Sequence, residues 1–284
     1  MLQFIKRIIL FILQNIPTKH IIANIVTIPH NKLLENKIAL ITGGNSGIGY
    51  AIAEAFLKSG ATIIITGRNI DKLEKARKDL SVFDNNKNKI HTLILDNEDV
   101  QTFETKINSL IEKTKRIDIL VNNAGLIGGN LFHTDEKDYD KIMDTNLKGT
   151  FFLSEIIAKH MINHKIKGNI LNICSSSGIR PANSAYTLSK WGIRGFTLGL
   201  AKSLIKYGIT VNGIAPGPTA TPMLNKNSNS SIEHKSNPLG RMIHPKEIAN
   251  MAVILTSDMG KSIVGDIIYM TGGAGLITFD DIEY

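Results

Sequence analysis

A single cysteine, Cys174, in a chain of 284 residues excludes an intrachain disulfide and fits a reducing compartment, where such a residue ordinarily fills core. No apolar run is long enough to cross a bilayer. The strongest one, Ile8 to Leu13 beside Lys6 and Arg7, falls far short of the roughly 20 residues a spanning helix needs, and no small-residue cleavage site follows it. A cleaved signal peptide is therefore not expected. Finger spacings and basic stretches interleaved with aromatics are also missing, so the formal charge of +8 does not read as a nucleic-acid footprint. Its lysines are spread among acids, and the field they make favours anionic cofactors. No segment repeats. His160 and His164 stand four apart without a third ligand, so no metal site is expected.

What is present is organised around Lys37 to Phe56, KIALITGGNSGIGYAIAEAF. It reads as a buried strand (Ile38 to Ile41), a glycine turn, and a helix with apolar Ile48, Ile52, Ala55 and Phe56. Glycines at Gly43, Gly44, Gly47 and Gly49 permit positive backbone torsions and close approach of a diphosphate, while free N–H groups at the helix start present partial positive charge. A structural tight turn would look similar. The spacing, Thr42-Gly43-x-x-x-Gly47-x-Gly49, differs from the long-chain GxGxxG pattern, and no lysine stands where an ATP-binding loop needs one. Phosphoryl transfer drops out, and a dinucleotide site remains.

From there strand and helix alternate. Thr62–Thr66 is a β-branched strand and Asp71–Leu80 an amphipathic helix, followed by strand His91–Leu95 and helix Asn97–Thr114. Strand Ile119–Asn122, a long helix Tyr139–Asn163, strand Asn169–Cys174 and helix Tyr186–Tyr207 come next. Strand Ile209–Ile214, helix Lys246–Ser257 and strand Ile267–Met270 close the pattern. The expected fold is α/β: one Rossmann-type domain over 37–284, a doubly wound parallel sheet of seven strands with helices on both faces. Residues 1–36 form an N-terminal extension, either a membrane-surface helix or one packed on its own domain or a partner subunit. Pro222 to Pro238 has no periodicity; following a strand whose end lies near the cofactor, it reads as a substrate lid or a surface loop.

Tyr186 and Lys190 are four apart at a helix start and share one face. A phenol ordinarily titrates near 10, and an adjacent ammonium stabilises its phenolate, so the two make an acid/base device. Ser175, eleven residues upstream at a strand end, can hold a carbonyl oxygen beside the phenol; Ser176 and Ser177 compete for that role.

These motifs together resemble the short-chain dehydrogenase/reductase family, in its single-domain branch, from about Lys37 to Gly273. The resemblance rests on the glycine turn, Asp96, Asn122-Asn123-Ala124-Gly125, Asn146, Ser175, Tyr186-x-x-x-Lys190, and Pro216-Gly217 followed by Thr221. The Ser175 to Tyr186 interval is about two residues shorter than the family's, so the Gly178–Ser184 loop is trimmed. The resemblance implies that Gly43, Asn45, Ser46, Gly47, Ile48 and Gly49 enclose a diphosphate, Asp96 and Asn97 meet adenine, and Asn123, Ala124 and Gly125 line the adenosine ribose side. Lys190 would bond the nicotinamide ribose, and Thr219 and Thr221 the carboxamide. It further implies an oxidoreductase moving hydride between a nicotinamide and a ketone or secondary alcohol. Ser175 would bond the substrate oxygen, Tyr186 act as general acid/base, and Asn146 hold a relay water to Lys190. Other uses of the site are nucleotide-sugar epimerisation or dehydration, or a non-catalytic cofactor-binding regulator. NADP(H) is favoured over NAD(H), because Thr66-Gly67-Arg68-Asn69 offers Arg68 and no acid at the end of the second strand. The other reading leaves Arg68 in solvent with Asn69 as a helix cap. A small-molecule substrate, a homodimer or homotetramer, cytoplasmic residence and peripheral membrane contact through residues 1–30 complete the expectations.

Overall fold

The computed structural model describes residues 32–84, 88–224 and 232–275. Within them seven parallel strands form one sheet in the order β3-β2-β1-β4-β5-β6-β7. They are β1 (Ile38–Ile41), β2 (Thr62–Gly67), β3 (Ile90–Ile94), β4 (Ile119–Asn122), β5 (Asn169–Ile173), β6 (Thr210–Pro216) and β7 (Ile267–Met270). Between them run α1 (Gly47–Lys58), α2 (Ile70–Leu80), α3 (Phe103–Thr114), α4 (Glu136–Met143), α5 (Gly149–Asn163), α6 (Ala185–Leu204) and α7 (Pro245–Thr256). The order reverses between β1 and β4, where a doubly wound sheet opens a crevice at its carboxyl edge.

Alternation along the strands feeds two cores. Ala39, Ile41, Ile63, Ile65, Ile119 and Val121 point to the face that also buries Ile52, Phe56 and Ile248. Leu40, Ile64 and Leu120 point to the opposite face, against Phe103, Ile107, Leu153 and Ile157. Most of these side chains are fully buried, and burial on both faces explains why the strands read as continuous apolar runs. Each of the large side chains among them contributes about 1.5–3 kcal/mol relative to exposure.

The structure departs from the sequence reading at four places. The expected helix 97–114 begins only at Phe103, after a 3₁₀ turn Val100–Thr102. The expected long helix 139–163 is broken by a π-helical turn, Asp144–Lys148, which hydrophobic periodicity cannot reveal. Two carbonyls of that turn take side-chain donors, Thr145 from Asn97 Nδ2 (3.5 Å) and Asn146 from Thr150 Oγ1 (2.8 Å). Leu33 and Leu34 are buried in the core beneath β1, and Leu34 N donates to Ser59 O (2.9 Å). The packed chain therefore starts before Lys37, while residues 1–31 of the N-terminal extension lie outside the described residues. In the aperiodic stretch 222–238, Asn237 is buried; its Nδ2 donates to Thr271 O (2.9 Å) and its Oδ1 accepts from Leu239 N (2.9 Å). That end is anchored by these bonds and by an isolated antiparallel bridge between Glu233 and Arg241, while residues 225–231 lie outside the description.

Candidate active site

The glycine turn leaves β1 at Thr42, a fully buried residue. Its hydroxyl accepts from Asn123 N and Ala124 N (both 2.9 Å), and Asn123 Nδ2 donates back to Thr42 O (2.9 Å) and Gly43 O (3.2 Å). Thr42 and Asn123 thus clamp the turn to the end of β4, so the Asn123 side chain supports the turn itself. Gly43 and Gly47 hold φ of +61° and +55°, which side-chain-bearing residues rarely adopt. A Cβ on Gly49 would collide with the Gly43 carbonyl, so this glycine seats α1 against the turn and does not itself line the cavity. Ser46 sits at the N-cap of α1 without a side-chain cap bond, and the first turn carries no acid. The N–H groups there are left for an incoming anion.

At the end of β2, Asn69 caps α2 by accepting from Lys72 N (2.9 Å). Arg68 is half exposed and its Nη1 stands 3.4 Å from Glu98 Oε1, an oxygen that also accepts from Thr145 Oγ1 (3.0 Å). Asp96 Oδ1 accepts from Glu98 N (3.2 Å), and Asn97 is buried against the π turn.

The other end of the cavity is built on β5 and α6. Ser175 is buried with its Oγ accepting from Ser177 N (3.1 Å), which starts a 3₁₀ turn Ser176–Ile179. Tyr186 lies in the first turn of α6, whose N-cap Ser184 accepts from Thr187 N (3.1 Å). Lys190 is buried one turn on; its Nζ donates to Ile173 O (2.8 Å) and lies 5.8 Å from the centre of the Tyr186 ring. Asn146 does not face the cavity. Its Oδ1 accepts from Leu126 N (2.7 Å), and its Nδ2 donates to Leu126 O (2.9 Å) and Ser189 Oγ (3.0 Å), while that hydroxyl donates to Tyr186 O (2.7 Å). One amide therefore ties the loop after β4 to the turn that carries Tyr186. Beneath the site, Asn122 Nδ2 donates to Ser154 Oγ and Asn172 Oδ1 (both 2.8 Å), and Asn172 Nδ2 donates to Thr197 Oγ1 (2.9 Å), joining β4 and β5 to α5 and α6. Cys174 is buried next to this ladder, and burial pushes its thiol pKa up. Pro216-Gly217 ends β6, where Thr219 Oγ1 donates to Gly217 O (2.9 Å).

These elements enclose one cavity of about 510 Å³ running from Gly43 to Thr221. Asn45, Ser46, Gly47, Ile48, Arg68, Asp96, Asn97, Ala124, Gly125, Ser175, Tyr186, Lys190, Pro216, Gly217, Thr219 and Thr221 all line it, with Gly43 and Asn123. So do Ser176 and Ser177. Only Gly49 and Asn146 of the expected residues lie behind its wall. Lys72, Ile127 and Arg180 line it too and were not anticipated. Lys72 was findable, one helical turn past the Asn69 cap; Arg180 sits in a trimmed loop that gives no periodic signal. Among the described residues no group of acids, histidines and cysteines could hold a metal. The uncapped helix start, the positive-φ glycines and the long cavity fit an extended dinucleotide.

Fold and site together define a doubly wound dinucleotide-binding protein with a tyrosine, a lysine and serines gathered at the far end of one cavity. The chain belongs to the short chain dehydrogenase family, whose pattern matches residues 37–231, and is an oxidoreductase of that family. It is 36% identical over 248 residues to the 3-oxoacyl-[acyl-carrier-protein] reductase FabG of Thermotoga maritima, covering 84% of this chain and 98% of that protein. Identity to the gluconate 5-dehydrogenase of Gluconobacter oxydans is 32%, with 83% and 93% covered. A short-chain type dehydrogenase/reductase from Mycobacterium marinum superposes with a TM-score of 0.77 at 26% identity, covering 87% of this chain and 98% of that one.

Proposed function

We propose that the protein is a reductase or dehydrogenase of ketones and secondary alcohols that prefers NADP(H). The observation that carries this is the joining of the glycine turn and the Ser175, Tyr186 and Lys190 cluster in one cavity. When bound, the nicotinamide dinucleotide supplies or accepts the hydride. Gly43, Asn45, Ser46, Gly47 and Ile48 would hold its diphosphate at the start of α1, Asp96 and Asn97 its adenine, and Thr219 and Thr221 its carboxamide. Ser175 orients the substrate oxygen, and Tyr186 gives that oxygen a proton in reduction or takes one in oxidation. Lys190 holds its charge beside the phenol, anchored through Ile173 O. Asn146 would steady the α6 turn and keep the relay water to Lys190, its backbone carbonyl lying in the π turn. The relatives named above are oxidoreductases by name, and no observation favours epimerisation or a non-catalytic role.

The preference for NADP(H) rests on cations at the adenosine end. Arg68 and Lys72 line the cavity there, the end of β2 carries no carboxylate, and the nearby Glu98 pairs with Arg68. A guanidinium so held offers a planar fork to a 2′-phosphate. The domain reading is a single catalytic unit in which the segment from Pro222 covers the substrate, supported by Pro222, Met223 and Leu224 in the cavity wall. A homodimer or homotetramer through α5 and α6 is supported by exposed Phe151, Phe152, Leu188, Trp191 and Leu198 on those helices. Among the described residues no helix is long and apolar enough to cross a membrane. Peripheral contact through residues 1–30 gains no support and forms no part of the reading; cytoplasmic residence does. The test is a panel of carbonyl compounds followed by oxidation of NADPH and NADH. Carbonyl-dependent oxidation is expected, faster with NADPH at low cofactor concentration; oxidation that never depends on a carbonyl would reject the activity.

A further inference from the structure

Arg180 lies in the chain between the two groups assigned to the substrate oxygen, five residues after Ser175 and six before Tyr186. Its backbone is pinned on both sides. Arg180 N donates to Ser177 O (3.3 Å), Arg180 O accepts from Trp191 Nε1 (2.7 Å), and Pro181 restricts the chain that follows. The guanidinium lies over the backbone of Gly275, close enough that a Cβ on that glycine would stand 2.6 Å from Nη2. The side chain is exposed, lines the cavity, and has no carboxylate partner among the described residues.

The charges around the cavity are lopsided. Four cations line it, Arg68, Lys72, Arg180 and Lys190, against a single acid, Asp96. Arg68 and Lys72 belong to the adenosine end, and Lys190 is buried and bonded to Ile173 O. That leaves Arg180 as the lining cation without an ion-pair partner among the described residues, in a cavity it shares with Ser175, Tyr186 and apolar Ile127, Met223 and Leu224. A guanidinium offers two parallel N–H donors matched to the two oxygens of a carboxylate or phosphate, and its attraction strengthens where apolar walls lower the local dielectric.

We propose that Arg180 selects substrates carrying an oxyanion, a carboxylate or a phosphate, on the carbonyl or carbinol compound. This deepens the oxidoreductase reading and rests on it. In reduction the hydride passes from the cofactor to the carbonyl carbon and the proton from Tyr186 to its oxygen. The oxyanion takes no part in bond making and serves only to seat the molecule.

The experiment compares matched substrates with the full-length protein and NADPH: an oxo acid against its methyl ester, and a ketone phosphate against its unphosphorylated parent. Wild type should favour at least one anionic member by tenfold or more in kcat/KM, expressed mainly in KM, and whichever pair shows the preference identifies the group. Arg180→Ala should bring that ratio to within about twofold, and Arg180→Lys should restore part of it, because the charge returns without the fork. NADPH fluorescence titration verifies that each variant is folded. A wild-type enzyme that turns over neutral and anionic members alike would overturn the assignment while leaving the oxidoreductase reading intact, as would an Arg180→Ala variant that keeps the wild-type ratio. No turnover of any carbonyl would overturn both.

Discussion

The two ends of the cavity are held in different ways. The end that takes the diphosphate is shaped mainly by backbone, a glycine turn and the start of α1, with one long-range side-chain clamp, Thr42 to Asn123, bracing it. At the catalytic end, side chains distant in sequence do the holding: Asn146 to Leu126 and Ser189, Asn172 to Asn122 and Thr197, Lys190 to Ile173. Backbone geometry leaves a regular, short-range imprint in sequence, and long-range side-chain bonds do not. A backbone-built end should also tolerate changes at the chemical end with its binding intact.

Four substitutions break or sharpen that contrast. The largest effect is expected from Tyr186→Phe, which removes one oxygen and keeps the ring; turnover should fall by about two to four orders of magnitude while the NADPH dissociation constant moves less than about threefold. Steady-state rates beside a fluorescence titration measure both, and a comparable loss of binding would erase the distinction between the ends. Asn172→Ala cuts the buried ladder below the catalytic end and leaves the hydroxyl of Thr197 and the amide of Asn122 short of a partner. Denaturant unfolding should show a loss of about 1–3 kcal/mol, and an unchanged midpoint would mean the ladder is dispensable. Arg68→Ala acts only at the adenosine end: NADPH should bind about tenfold more weakly, roughly 1.4 kcal/mol, with NADH affected much less. Equal weakening of both cofactors would remove the 2′-phosphate assignment.

The smallest effect concerns the base of the substrate-side segment. Arg241 meets Glu247 through two 2.8 Å bonds, and Glu247 also accepts from His244 N (2.8 Å). Led by the Arg241 bonds, these contacts hold the Glu247 carboxyl down to about 2 from 4.5. A lowered value in the fold means its stabilisation is complete above about 4.5 and is lost as pH falls towards 2. Both side chains are more than a third exposed, so screening trims the contribution to under about 1 kcal/mol. Glu247→Gln should therefore be slightly less stable than wild type at neutral pH and equal to it near pH 2 by thermal unfolding. A gap that persists into acid would place the stabilisation elsewhere.

The fold was legible because strands buried on both faces write apolar runs and their helices write a period near 3.6, which is why the alternation yields the observed sheet. The glycine turn, Ser175, Tyr186 and Lys190 were legible from spacing, and Gly43, Gly47 and those three side chains line the cavity. The π turn at Asp144–Lys148 was not, because no residue type or short-range spacing marks a locally widened turn inside a helix. Asn146 was found by motif, yet its contacts with Leu126 and Ser189 depend on partners 20 and 43 residues away. Leu33 and Leu34 were assigned to the extension because no periodic element contains them; only packing against the core reveals them. Arg180 lies in a loop without periodicity, so its place on the cavity wall became visible only once β5 and α6 were side by side.

The central claim is direct hydride transfer between the nicotinamide and a carbonyl carbon, with Tyr186 handling the proton. Reduction of a carbonyl substrate with NADPH deuterated at the nicotinamide C4, followed by mass spectrometry and NMR of the alcohol, tests it most directly. The account predicts one deuterium at the carbinol carbon from one of the two C4-labelled epimers and none from the other, with the hydroxyl proton drawn from solvent. Deuterium released to water, or cofactor oxidation without a labelled alcohol, would contradict it.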